Sequence, residues 1–185
     1  MTGHDRLIAL LAERSTRRGK FVLASGRESS IYVDCRLTTM SPEGLALIGP
    51  LGLEAMRRRG WPADAVGGLT LGADPVAYAI AYASAGPSPV RAFTVRKEAK
   101  QHGTGKLIEG PFQSGDRVVV VEDVITTGGS ALKAIEAVRA AGGRVLGILA
   151  VVDREEGGRQ ALESQGLAVE ALATLSEIVA VLPAA

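Results

Sequence analysis

The sequence predicts an α/β fold built on a parallel β-sheet, and three observations predict it. From residue 65 onward, short apolar runs alternate with stretches of helical pattern, the order that βαβ units produce. One of those runs, 117–121, holds four consecutive valines, which suits a strand covered on both faces. Finally, 185 residues with 46% hydrophobic content are enough for one domain with a sizeable core, and a single cysteine rules out intrachain disulfide staples.

Taken in order, residues 5–17 carry Leu7, Ile8, Leu10 and Leu11 at helical spacing. Arg14, Arg17 and Arg18 close that stripe and Gly19 is a stop signal. Two β-like runs, 21–23 and 31–33, flank a polar turn and read as a hairpin. Ser41-Pro42-Glu43 opens a helix with Ser41 as N-cap, expected to reach about Arg59 although Gly49, Pro50 and Gly52 interrupt it. The alternation then begins with a strand at 65–69, a turn through 70–75, a helix over 75–85 and a strand at 90–95. A polar segment, 96–106, precedes a brief β-like return at 107–110. Strand 117–121, a turn at 126–129 and a helix over 130–141 follow. A strand at 145–152, a helix over about 155–165, a strand at 167–173 and a short last helix complete the chain. No repeat, linker or low-complexity tract divides it. Residues 1–185 are therefore expected to form one domain, with about 1–60 as a subdomain beside the sheet.

Composition narrows the function. Lys+Arg total 21 and Asp+Glu 20, a net charge of +1, which argues against a general nucleic-acid or membrane-surface binder. The apolar content argues against disorder. The early apolar run is too short for a secretory segment, and 145–152 is far too short to span a bilayer. A soluble, cytoplasmic protein with no membrane or nucleic-acid partner is expected. The cations are unevenly spread. Only Lys20, Lys97, Lys100, Lys106 and Lys133 are lysines, and three of these five fall between 97 and 106.

The stretch 118–130, VVVVEDVITTGGS, carries the most chemistry. A hydrophobic strand runs into two acids, then a Thr/Gly loop, then a helix. Open α/β sheets bind ligands at such a carboxyl end. Glycines let backbone N–H groups approach a phosphate, and the helix N-terminus favours that anion. Thr126, Thr127 and Ser130 add hydroxyls. Glu122 and Asp123 would repel a phosphate, so they suit sugar hydroxyls, a hydrated Mg²⁺ or a developing cation. Strand and glycines alone are equally consistent with an ordinary βα turn. No Walker A pattern occurs in the chain.

Those thirteen residues resemble the 5-phosphoribosyl 1-diphosphate signature of the type I phosphoribosyltransferases. The resemblance implies that Glu122 and Asp123 hold the ribose hydroxyls, with Asp123 near the reacting carbon. Thr126, Thr127, Gly128, Gly129 and Ser130 would cradle the 5-phosphate. Negative charge there would stabilise an oxocarbenium-like transition state.

Four further segments are similar to the orotate branch of that family. In 96–106, RKEAKQHGTGK, the pattern R-K-x-x-K-x-H-G resembles a mobile catalytic loop that closes over the diphosphate. It implies roles for Arg96, Lys97, Lys100 and His102, with Lys97, Lys100 and His102 counted, like Asp123, among the catalytic residues. Composition alone would allow a solvated hairpin loop. Residues 25–34 resemble the orotate-binding region, implicating Ser25, Gly26 and Tyr32, but Ala24 stands where some relatives carry lysine. Residues 67–75 look like the diphosphate loop, implicating Thr70 and Gly72, again without a lysine that some relatives have. Residues 153–158, DREEGG, resemble a segment whose arginine, here Arg154, pairs with the orotate carboxylate, and Thr126 would also touch orotate. An arginine at a strand end could equally form a surface ion pair. His4 and Cys35 have no neighbours at metal-ligand or nucleophile spacing.

The implied fold is the type I phosphoribosyltransferase fold: a central parallel five-stranded sheet flanked by helices, with a small N-terminal hood. The implied activity joins orotate to 5-phosphoribosyl 1-diphosphate (PRPP), giving orotidine 5′-monophosphate and diphosphate on the route to pyrimidine nucleotides. Mg²⁺ is the implied cofactor, held mainly by substrate diphosphate with no direct protein ligands. A homodimer is implied, the 96–106 loop reaching the neighbouring active site. Two alternatives stay open: a purine-type phosphoribosyltransferase, and a non-catalytic regulator that senses the ribosyl diphosphate.

Overall fold

The computed structural model describes residues 2–22, 28–98 and 106–183. Helix α1 (Gly3–Leu10) begins with a capping box, in which Thr2 and Asp5 satisfy each other's backbone N–H. It ends sooner than the apolar stripe predicts. One π-helical turn, Leu11–Ser15, follows, and strand β1 (Thr16–Val22) starts where the sequence reads as helix. Strand β2 (Glu28–Val33) pairs with it antiparallel, Thr16 opposite Val33 and Arg17 opposite Tyr32. Pairing from Thr16 onward overrides the helical periodicity. The junction is fixed by a 2.7 Å hydrogen bond between the buried Ser15 and Thr38 hydroxyls.

After a short helix α2 (Arg36–Thr39) comes α3 (Pro42–Arg58), started as expected by Ser41, whose Oγ accepts from the Gly44 N–H at 3.1 Å. Pro50 lies exposed within α3 without ending it. Gly49 and Gly52 meet the neighbouring helix: a Cβ on Gly52 would lie 2.8 Å from Ile80, and one on Gly49 2.9 Å from Ala83. These glycines sit in α3 because a close crossing needs them there.

The central sheet holds β3 (Ala65–Leu69), β4 (Arg91–Val95), β5 (Ile108–Glu109), β6 (Arg117–Ile125), β7 (Arg144–Asp153) and β8 (Val169–Thr174), in the order β5-β4-β3-β6-β7-β8. Five strands are parallel, as predicted. The two-residue β5 adds an antiparallel sixth at one edge. Four helices connect or follow these strands: α4 (Ala73–Ala83), α5 (Gly129–Ala140), α6 (Gly158–Glu163) and α7 (Leu175–Val181). The predicted 155–165 helix is thus shorter, since Glu155 and Gly157 adopt positive φ before it.

The four valines explain the two-sided core. Val119 and Val121 pack with Ile48, Met56 and Ile80 of α3 and α4. Val118 and Val120 pack with Ala134, Ile135 and Val138 of α5. All four are fully buried, each contributing roughly 1.5–3 kcal/mol relative to exposure. Since β4 and β6 flank β3 on opposite sides, the chain switches direction there. A crevice opens at such a point, outside the carboxyl ends of the strands.

Candidate active site

Two adjoining cavities occupy that crevice. A cleft of about 410 Å³ lies between the end of β2, the loop after β3 and the end of β6. Beside it, a cavity of about 240 Å³ is lined by Glu122 and by the turn leading from β6 into α5.

The smaller cavity is built for an anion. Gly128 is the residue before α5, with φ +83 and no side-chain cap. The first-turn N–H groups of α5 are therefore left without a capping side chain, where backbone donors and the helix dipole favour negative charge. Thr126, Thr127, Gly128, Gly129 and Ser130 all line it. Gly128 packs against Leu162, so a Cβ there would come within 2.9 Å of that side chain.

Strand β6 does not stop at the valines. It runs on through Glu122 and Asp123 to Ile125, so both acids sit within a strand. Successive strand side chains point to opposite faces. Glu122 borders both cavities, whereas Asp123 faces only the cleft. The two acids, which lie side by side in sequence, therefore diverge in space. Glu122 is 5% exposed and its Oε1 has no hydrogen-bond partner. Burial first, then the Asp123 charge, pushes its carboxyl up to about 8. Asp123 is also raised by burial, opposed by the Val124 N–H that its Oδ1 accepts at 2.9 Å and by the charge of Arg36. Both carboxyls thus favour a partner that brings positive charge or hydroxyl groups.

The loop after β3 is pinned by a threonine–aspartate network. Thr70 Oγ1 donates to Asp74 at 2.7 Å, and Thr94 Oγ1 donates to the other Asp74 oxygen at 2.8 Å. The Thr70–Leu71 peptide is cis. Thr70 and Gly72 both line the cleft. Gly72 lies so close to the Asp123 carboxylate that a Cβ would overlap it, which is why glycine occupies this position.

Tyr32 lines the cleft and packs on Phe21 with ring centroids 5.3 Å apart. Arg154 is buried, not at the surface. It holds Glu156 at 2.8 Å, reaches the cleft wall, and keeps its Nε without a partner. Lys97 lines the cleft of its own chain. Arg96 does not: its guanidinium lies 3.5 Å from Glu109 on β5. Ser25, Gly26, Lys100 and His102 lie outside the described residues.

Two charged cleft residues escaped the sequence reading. Asp34 and Arg36 form a two-point ion pair at 2.8 and 3.0 Å. Cys35 between them is buried, its thiol pushed well above its ordinary range by burial, then by Asp123 and Asp34. The available signal was an acid and an arginine two apart, directly after a strand that ends in the substrate region. Among the described residues, no group of three or more His, Cys, Asp or Glu could hold a metal ion, and no helix is long and apolar enough to cross a membrane.

Comparison with known proteins adds three findings. The model of the phosphoribosyl transferase domain family matches residues 55–170. Orotate phosphoribosyltransferase of Aquifex aeolicus is 48% identical over 182 residues, covering 96% of this chain and 98% of that protein. The crystal structure of Mycobacterium tuberculosis orotate phosphoribosyltransferase in complex with PRPP is 43% identical, with a TM-score of 0.82 over 96% of this chain and 99% of that one.

Proposed function

The chain belongs to the phosphoribosyltransferase family, and we infer from that premise how its cleft performs orotate phosphoribosyl transfer. It is an orotate phosphoribosyltransferase, a pentosyltransferase that makes orotidine 5′-monophosphate and diphosphate from orotate and PRPP. The observation that carries the site assignment is the pair of adjoining cavities at the switch point, an anion cradle on one side and a carboxylate-lined cleft on the other. Sharing Glu122, Thr126 and Ser130 in their walls, they suit a sugar with its 5-phosphate on the α5 turn and its anomeric carbon over Asp123.

On this reading, Thr126, Thr127, Gly128, Gly129 and Ser130 hold the 5-phosphate. Glu122 and Asp123 meet the ribose hydroxyls, and a neutral Glu122 both donates and accepts there. As the bond to diphosphate breaks, positive charge grows on the sugar. Asp123 faces that charge from a half-buried position, so its attraction is stronger in the transition state than in the ground state. Thr70 and Gly72 border the diphosphate. Arg96, Lys97, Lys100 and His102 act in the closing loop and exclude water. Ser25, Gly26, Tyr32, Thr126 and Arg154 receive orotate, Arg154 meeting its carboxylate from the cleft wall.

Mg²⁺ bound to the substrate diphosphate would neutralise part of its charge. The Asp123 carboxylate bordering the cleft fits a hydrated cation carried by the substrate, since hard cations take oxygen ligands. The protein works in the cytoplasm as a homodimer of single-domain chains, each with a hood from about residues 1–60, and the 96–106 loop serves the neighbouring site.

Orotate-dependent release of diphosphate from PRPP by the purified protein with Mg²⁺ tests the assignment. Turnover with orotate, and none with adenine, guanine or xanthine, is expected. Absence of orotate turnover overturns it.

A further inference from the structure

We propose that Arg36, gripped by Asp34, is a diphosphate-contacting residue, the fixed cation that the loop after β3 lacks. The inference rests on the reading of the cleft as a PRPP site, and it adds a residue that no motif marked.

Residues 70–72 bring no cation to the cleft, so a diphosphate lying against them needs positive charge from another element. Among the described residues, the cleft is bordered by three cations: Arg36, Lys97 and Arg154. Arg154 is buried and engaged by Glu156 at 2.8 Å. Lys97 is exposed on a flexible stem, suited to following a leaving group but not to fixing one beforehand. Arg36 differs from both. It occupies the first position of α2, next to the hairpin, and its side chain is 53% exposed.

Its guanidinium is already oriented. Nε donates to Asp34 Oδ1 at 2.8 Å and an Nη donates to Oδ2 at 3.0 Å, while the Arg36 backbone N–H donates to Oδ1 at 3.2 Å. A guanidinium has five N–H donors; less the two that Asp34 accepts, three remain. Such a planar fork matches phosphate oxygens better than a point charge does.

Asp34 has a second role. Arg36 is close enough to Asp123 to lower its proton affinity. Without Asp34, the guanidinium would be drawn onto the carboxylate required by the sugar. The acid thus acts as a positioning residue that holds the cation on the diphosphate side.

Two measurements test this: calorimetric titration with Mg²⁺-diphosphate, and steady-state kinetics with both substrates. Arg36→Gln is expected to weaken diphosphate binding and raise the KM for PRPP by about tenfold or more, the scale of a charge-assisted phosphate contact, while the orotate KM stays within about twofold. Arg36→Lys keeps the charge but not the two-point grip, so a loss of about threefold or more is expected. Asp34→Asn should weaken diphosphate binding in the same direction. Diphosphate affinity of wild-type strength in Arg36→Gln, with or without a lower melting temperature, overturns the proposal, because the pair would then only tie off the hairpin. An equal loss for orotate and diphosphate overturns it too. Should Arg36→Gln fail to fold, wild-type affinity in Arg36→Lys is the overturning result. The wild-type protein in the same assay separates the two inferences: no orotate turnover defeats the cleft assignment, whereas turnover with unaltered variants defeats only the role of Arg36.

Discussion

At the scale of single residues, the site is set by carboxyls held where water is scarce. Glu122 keeps its proton to about pH 8 in the folded chain, against an ordinary value of 4.5. Between those values the folded state binds more protons than the unfolded one, so stability from this group is present at low pH and falls as pH rises through 8. Glu122→Gln removes that dependence. The variant should melt at the wild-type temperature near pH 5 and at least roughly 3 °C above it at pH 9, in the absence of substrate. Equal melting curves at pH 9 would show that Glu122 ionises without cost. Gly72 makes a sharper case, because a Cβ at this position would overlap the Asp123 carboxylate. Gly72→Ala should push that carboxylate aside and lower kcat by about 10²-fold, with little loss of folded protein by circular dichroism, since small displacements at a reacting centre cost that much. The acids, threonines and glycines of 118–130 were legible because their chemistry is contiguous. Asp34 and Arg36 were not, because their importance depends on β2 ending opposite a loop more than thirty residues later.

At the scale of elements, periodicity was reliable where packing agreed with it and misleading where pairing overrode it. The valines of β6 gave a correct two-sided strand, and Ser41 a correct helix start. The strand's continuation through Glu122 and Asp123 was illegible, since acids rarely extend a buried strand, and β7 supplies the ladder that carries them, Glu122 pairing with Ala150. Local pattern places Thr16 in a helix, whereas pairing with Val33 places it in β1. The turn into α5 offers a test of element geometry. Gly128 combines φ +83 with contact to Leu162, whereas Gly157 has φ +92 and open space around it. Gly128→Ala should cost about 1–2 kcal/mol or more, a fall in Tm of about 2–8 °C, and should weaken binding of inorganic phosphate. Gly157→Ala pays the backbone cost alone, so its Tm falls less and its phosphate affinity stays unchanged. Identical phosphate affinity in both variants would remove the α5 turn from the phosphate site.

At the scale of the whole molecule, the strand order β5-β4-β3-β6-β7-β8 converts scattered motifs into one site, because it brings the ends of β3 and β6 side by side. Strand alternation predicts a parallel sheet but not the order of its strands, since nothing local states which strand lies beside which. The same scale governs the proposed exchange of loops between subunits. Lys97 lines the cleft of its own chain, so a loop that also serves a partner must divide its residues between two sites. Mixing inactive variants decides whether it does. Lys100→Ala spoils the loop but leaves its own cleft intact, and Asp123→Asn spoils the cleft but leaves its own loop intact. In a mixed dimer with loops acting across the interface, the intact cleft of one subunit receives the intact loop of the other. Random re-association of equal amounts makes half the dimers mixed, each with one working site in two, so activity should return to about a quarter of wild type. A loop acting only within its own chain leaves every site defective, and the mixture stays as inactive as its components.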